Sequence, residues 1–162
     1  MNVSILFTII FIIFYLVLTI ITIRARKSAR VEYGDGFNKD LTKAIRAHGN
    51  FYEFTVFFII SSFLLEILDA NQIYVFFVNT IFLLGRISHA YSMLKEKLLF
   101  RMVGMMATLF CYAVNCIYLI ILYWQYFNHL ISYFFSTSSN IQGDEKLLLI
   151  SIKFSLWFML GF

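Results

Sequence analysis

The sequence predicts an all-α integral membrane protein, a bundle of four transmembrane helices. Three observations lead there. Of 162 residues, 61% are hydrophobic and only 14% charged, too few charges to cover a soluble domain of this size. Long apolar runs recur along the chain, each of a length to cross a bilayer. The charged residues cluster at the ends of those runs, with a net charge of +4. Such basic clusters fit membrane orientation better than nucleic-acid binding. The length suits one domain.

Asn2–Ile23 carries no charge and would span about 33 Å as a helix. It lacks a basic lead and a small-residue cleavage site, so it reads as the first transmembrane helix and not as a signal peptide. Arg24, Arg26, Lys27 and Arg30 follow, then Gly34-Asp35-Gly36, whose glycines supply the backbone freedom of a tight turn. The second helix is expected from about Leu41 to Leu68, the third from about Gln72 to Leu94, the fourth from about Leu98 to Phe127. Residues 128–162 form a tail. Its polar part, Ser136–Lys146, reads as a linker, and Leu147–Phe162 is short for a span and broken by Lys153. A membrane-surface segment suits it better than a fifth crossing.

Lys and Arg populate the first and third connectors and are absent from the second, Asp69-Ala70-Asn71. The positive-inside bias therefore places both basic connectors in the cytoplasm and both termini on the far side. Arg46, Glu53, Arg86 and Arg101 are then expected together at the cytoplasmic end.

The second helix opens with Arg46-Ala-His48-Gly-Asn50-Phe-Tyr-Glu53. Arg46, Asn50 and Glu53 fall at i, i+4 and i+7, on one face. A charge at bilayer depth costs about 2.5–3.5 kcal/mol on insertion scales, so these groups need partners. Two readings stay open: a structural network in which Arg46 and Glu53 neutralise each other, or a site for a small zwitterion. On the third helix Arg86, His89 and Met93 share a stripe, as do Arg101, Gly104, Met105 and Thr108 on the fourth. A glycine one turn from an arginine admits another backbone or a ligand. The plain alternatives are arginines that reach to the interface and a histidine bonded to a neighbouring helix.

Taken together, Arg46-Ala-His48-x-Asn50-x-x-Glu53, Gly85-Arg86-x-x-His89 and Arg101-x-x-Gly104, with the Gly34-Asp35-Gly36 turn, resemble the MAPEG family, membrane-associated proteins of eicosanoid and glutathione metabolism. The likeness covers roughly residues 1–127 and is greatest to the small bacterial members, which implies a place in a bacterial inner membrane. It implies a homotrimer of four-helix subunits that hold glutathione as co-substrate near the cytoplasmic end. Glu53 matches the carboxylate that takes the ligand's ammonium, with Arg46 and Asn50 in the same pocket. Arg24 sits where the family has an arginine facing the ligand, and His89 matches a ligand-contacting position, with Arg86 beside it in the same motif. Arg101 matches the arginine that activates the thiol, and Asp35 an aspartate that assists it. The substrate would be a lipophilic electrophile or hydroperoxide drawn from the bilayer.

The chemistry is self-consistent. Glutathione carries two carboxylates and an ammonium, which calls for several cations and one anion. A cation beside the thiol raises its thiolate fraction, and arginine keeps its charge when partly buried. Met93 and Met105 stand where family synthases often carry tyrosines, and Met102 where they carry a serine. Val56 replaces a proline that usually follows soon after the glutamate. The alternative reading is a non-catalytic lipid-binding or scaffold protein on the same fold. Polar residues gathered at one end do not line a path, which argues against a channel. Cys111 and Cys116 would point about 140° apart on one helix and serve as small apolar side chains. No metal-ligand spacing occurs.

Overall fold

In a computed structural model, which describes residues 3–139, the described chain is four helices: α1 (Val3–Ala29), α2 (Lys39–Ile67), α3 (Gln72–Lys95) and α4 (Leu98–Ser139). All four are long and apolar enough to cross a membrane. Residues up to Ile120 form one compact unit, and α4 from Ile121 onward belongs to a second.

Two helices outrun their expected ends. α1 does not stop at Ile23 but carries Arg24, Arg26 and Lys27 to Ala29. Arginine and lysine are good helix formers and favour a C-terminal turn, where they meet the negative end of the dipole. α4 continues past Phe127 to Ser139, so Ser136–Ser139, expected to begin a linker, are helical. The expected membrane-surface segment, Leu147–Phe162, lies outside the described residues.

The helix ends are built alike. At the close of α1, Arg30 takes a left-handed φ of 55°, with the Val31 amide donating to Arg26 O and the Arg30 amide to Lys27 O. α2 closes the same way through Asp69 (φ 56°), and Glu96 (φ 57°) ends α3. Asn38 caps α2 through the Leu41 amide, and Asn71 caps α3 through Ile73 and Tyr74.

The core of the first unit is aromatic at its centre. Phe58 and Phe82 stack at 3.6 Å, and Phe11 meets Phe82 edge-on at 5.7 Å. Each comes from a different helix, and all three are buried. Ile5, Ile9, Ile12, Leu16 and Ile20 of α1 face outward, as lipid-facing side chains do. Polar bonds join the helices where hydrophobic burial gives little drive. Asn79 donates to Ser62 Oγ at 2.6 Å, Asn115 to Ser61 Oγ at 3.0 Å, and Tyr74 to Asn115 Oδ1 at 3.1 Å. Tyr112 donates to the Phe54 carbonyl. α3 and α4 touch backbone to backbone at Gly85 and Gly104. A Cβ on Gly104 would fall 2.6 Å from Gly85 O and 2.8 Å from His89 N. Cys111 is buried and Cys116 exposed, both free thiols.

Candidate functional site

The end of the unit that carries the basic connectors holds a cleft of about 310 Å³. Four cations line it: Lys43 and Arg46 from the first turns of α2, Lys97 from the α3–α4 turn, and Arg101 from the opening of α4. Met93 and Leu98 supply apolar wall, and Glu96 the carboxylate. Lys43 Nζ lies 2.7 Å from Glu96 Oε1 and 3.3 Å from Asp40 Oδ1. The hydrogen bond from Lys43 holds the Glu96 carboxyl below its ordinary range. With that carboxylate engaged, Arg46, Lys97 and Arg101 present uncompensated charge to the cleft, an arrangement suited to a ligand with more than one negative group.

Asp35 stands behind the cleft wall. Its Oδ2 accepts from Thr42 Oγ1 at 2.9 Å, and Thr42 lines the cleft. Its Oδ1 accepts from the Phe37 amide at 3.2 Å. That amide, then the Thr42 hydroxyl, hold its carboxyl below the usual range, with a further push from the Arg46 charge. Arg26 stiffens the same connector, one guanidinium nitrogen donating to the carbonyls of Val31, Glu32 and Gly34.

Of the residues singled out in the sequence, Arg46 and Arg101 meet in this cleft, although 55 positions separate them. Asn50, Glu53, Arg24, Arg86, His89 and Asp35 do not line it. Arg24 is exposed near the end of α1. Glu53 is exposed on the outer side of α2, with Oε1 4.0 Å from where a Gly49 Cβ would stand. Among the described residues, Arg46 and Glu53 form no ion pair; the salt bridges there are those of Lys43. His48, within the same stretch, instead ties α2 to α1 through Thr19 Oγ1 at 3.1 Å.

Arg86 departs furthest from the cluster expected at the cytoplasmic end. It is 1% exposed, in the core between helices. Nη1 donates to Asn50 Oδ1 at 3.1 Å and to Asn50 O at 3.4 Å. The guanidinium lies 5.1 Å from the Phe54 ring centroid and 6.0 Å from that of Phe82, contacts that compensate a desolvated cation. His89 is buried one turn on, packed on Gly104. Among the described residues, Arg86 Nε and Nη2 and His89 Nε2 are buried without a hydrogen-bond partner.

Sequence reasoning missed Lys43, Glu96 and Lys97 as parts of the site. The signal was present: the start of α2 and the α3–α4 turn lie at one end of antiparallel neighbours, so opposite charges there face each other. It also missed Arg86–Asn50. A guanidinium that far inside a span must find acceptors, and the Asn50 amide was the polar acceptor on the facing helix.

Comparison with known proteins agrees with the architecture. The model of the MAPEG family matches residues 4–121. Inner membrane protein YecN of Escherichia coli, in strain K12 and in O6:H1 strain CFT073, is 35% identical over 86 residues. That match covers 53% of this chain and 66% of YecN, just under two thirds of its length. No solved structure matches significantly. Four membrane-spanning helices in order, with the family model running from the start of α1 into α4, settle the kinship: this membrane protein belongs to the MAPEG family.

Proposed function

We propose that the protein is a membrane-bound glutathione-dependent transferase or peroxidase acting on lipophilic electrophiles or hydroperoxides. The observation that carries the reading is the shared cleft of Arg46 and Arg101, cationic at its rim and apolar along Met93 and Leu98. A tripeptide with two carboxylates fits the cationic rim. Its thiol, placed beside Arg101, loses its proton more readily, because the guanidinium favours the thiolate over the neutral thiol. The thiolate then attacks an electrophilic carbon of a bilayer-dissolved substrate. With a hydroperoxide it takes the distal oxygen, and a second glutathione completes reduction to alcohol, disulfide and water. Asp35 holds Thr42 and the connector, and its charge orients the guanidinium side of the cleft.

The reading includes a homotrimer with its basic connectors in the cytoplasm. A carboxylate at the membrane-embedded face of α2 is costly alone, and Glu53 is exposed and forms no ion pair among the described residues. In a trimer it reaches a neighbour's cleft and supplies the anion for the ligand's ammonium, with Arg24 at the rim.

One observation favours the second reading, a lipid-binding or scaffold protein: Met93 lines the cleft, and neither it nor Met105 carries the hydroxyl that family synthases bring to the ligand or its sulfur. Titration of purified protein with glutathione separates the two. The transferase reading predicts a rise in the ultraviolet absorption of thiolate that saturates with ligand and is lost in Arg101→Ala. A flat wild-type titration would favour the scaffold.

A further inference from the structure

We infer that Arg86 is a positioning residue that fixes the polarity of Asn50, so that the asparagine offers its amide nitrogen, and only that group, to an anionic ligand at the outer face of α2. A guanidinium has donors and no acceptor. The 3.1 Å contact from Arg86 Nη1 to the Asn50 side chain therefore admits only one amide orientation, with the oxygen turned inward. The second contact, to the Asn50 main-chain carbonyl, holds the pair at two points. Arg86 itself is 1% exposed and carries ring faces of Phe54 and Phe82 near its charge, so it has little freedom to swing away.

The consequence lies on the other side of the amide. Asn50 is half-buried, and its NH2 group has no partner among the described residues, nor is it sealed in the core. Arg46 stands one turn earlier on the same face of α2 and lines the cleft. The NH2 group thus stands outside the cleft lining, one turn along α2 from Arg46, as a neutral donor whose direction is set from inside the bundle. A freely rotating asparagine would present oxygen as readily as nitrogen and would select weakly for an anion. The locked one accepts a carboxylate and rejects a donor.

The ligand half of this inference rests on the thiol-binding reading above, while the inward lock does not. Asn50→Asp separates them. An aspartate keeps an oxygen toward Arg86, now as a charge-assisted bond, but replaces the outward donor by a second oxygen that repels anions. The variant is expected to melt at or above the wild-type temperature in detergent and to bind glutathione about ten- to a hundredfold more weakly by calorimetry. Arg86→Met frees the amide and weakens glutathione binding several-fold, and Arg86→Lys, which retains a donor, restores part of the loss. An Asn50→Asp protein that melts below wild type, or fails to fold, overturns the lock. Undiminished glutathione affinity in Asn50→Asp overturns the donor role. Should wild type bind no glutathione, the thiol reading fails, and the melting comparison still decides the lock.

Discussion

Gly104 shows how a single hydrogen atom in place of a side chain positions the candidate site. It lets α4 press against Gly85 and His89 of α3, and Arg101 opens the same helix one turn earlier. A methyl group there would meet Gly85 O, His89 N and His89 Cβ within 2.9 Å, backbone and the root of a buried side chain, which do not yield. Gly104→Ala is expected to lower stability by about 1–3 kcal/mol, read as an earlier unfolding midpoint in detergent. Gly49→Ala is the matched control, because its Cβ would meet only Glu53 Oε1 at 4.0 Å. It should leave stability unchanged or raise it by about 0.5–1 kcal/mol through helix propensity. The sequence made Gly104 stand out as a close-approach position but left open whether backbone or ligand approaches. Spacing gives the face of a helix and says nothing of what is packed there. Arg86 illustrates the limit more sharply. Its membership in a polar motif was plain, yet whether an arginine reaches out to the interface or inward to Asn50 depends on a neighbour 36 positions away.

At the scale of the helix, apolar runs located all four spans, because a bilayer demands length and apolarity together. The ends were less legible. Hydrophobicity marks where a helix leaves the bilayer, whereas the helix itself stops where its backbone finds a terminating geometry. α1 therefore persists through Arg24, Arg26 and Lys27 until Arg30 turns left-handed. Three helices end with Arg30, Asp69 and Glu96 in a conformation that glycine adopts without penalty. Glu96 is held in part by its bond to Lys43, and through that bond the end of α3 shapes the cleft. Asp69 has no such task, since it lies in the acidic connector at the other end of the chain's spans. Asp69→Gly should therefore stabilise the fold by about 0.5–1 kcal/mol, measured as a later unfolding midpoint. A lower midpoint would mean that the aspartate side chain contributes more than its backbone conformation costs.

For the molecule as a whole, the distribution of charge is the organising fact. The described spans bury Asn79, Asn115, Ser62 and Arg86 inward and turn isoleucine and leucine outward, an arrangement that only a lipid surround rewards. Cations from α2, the α3–α4 turn and α4 then converge at one end, around a cleft that a single carboxylate does not neutralise. The sequence made this convergence visible in outline, through basic connectors one and three, but not all of its members: Lys43, Lys97 and Glu96 line the cleft while Arg86 does not. The account's central claim is that this cleft holds a charged thiol between Arg46 and Arg101. The measurement that tests it most directly is an experimental structure of the protein in lipid, soaked with glutathione. The account predicts ligand carboxylates against Arg46 and the sulfur beside Arg101. A cleft without ligand, with Arg101 turned to lipid headgroups and remote from Glu53 of any subunit, would contradict it.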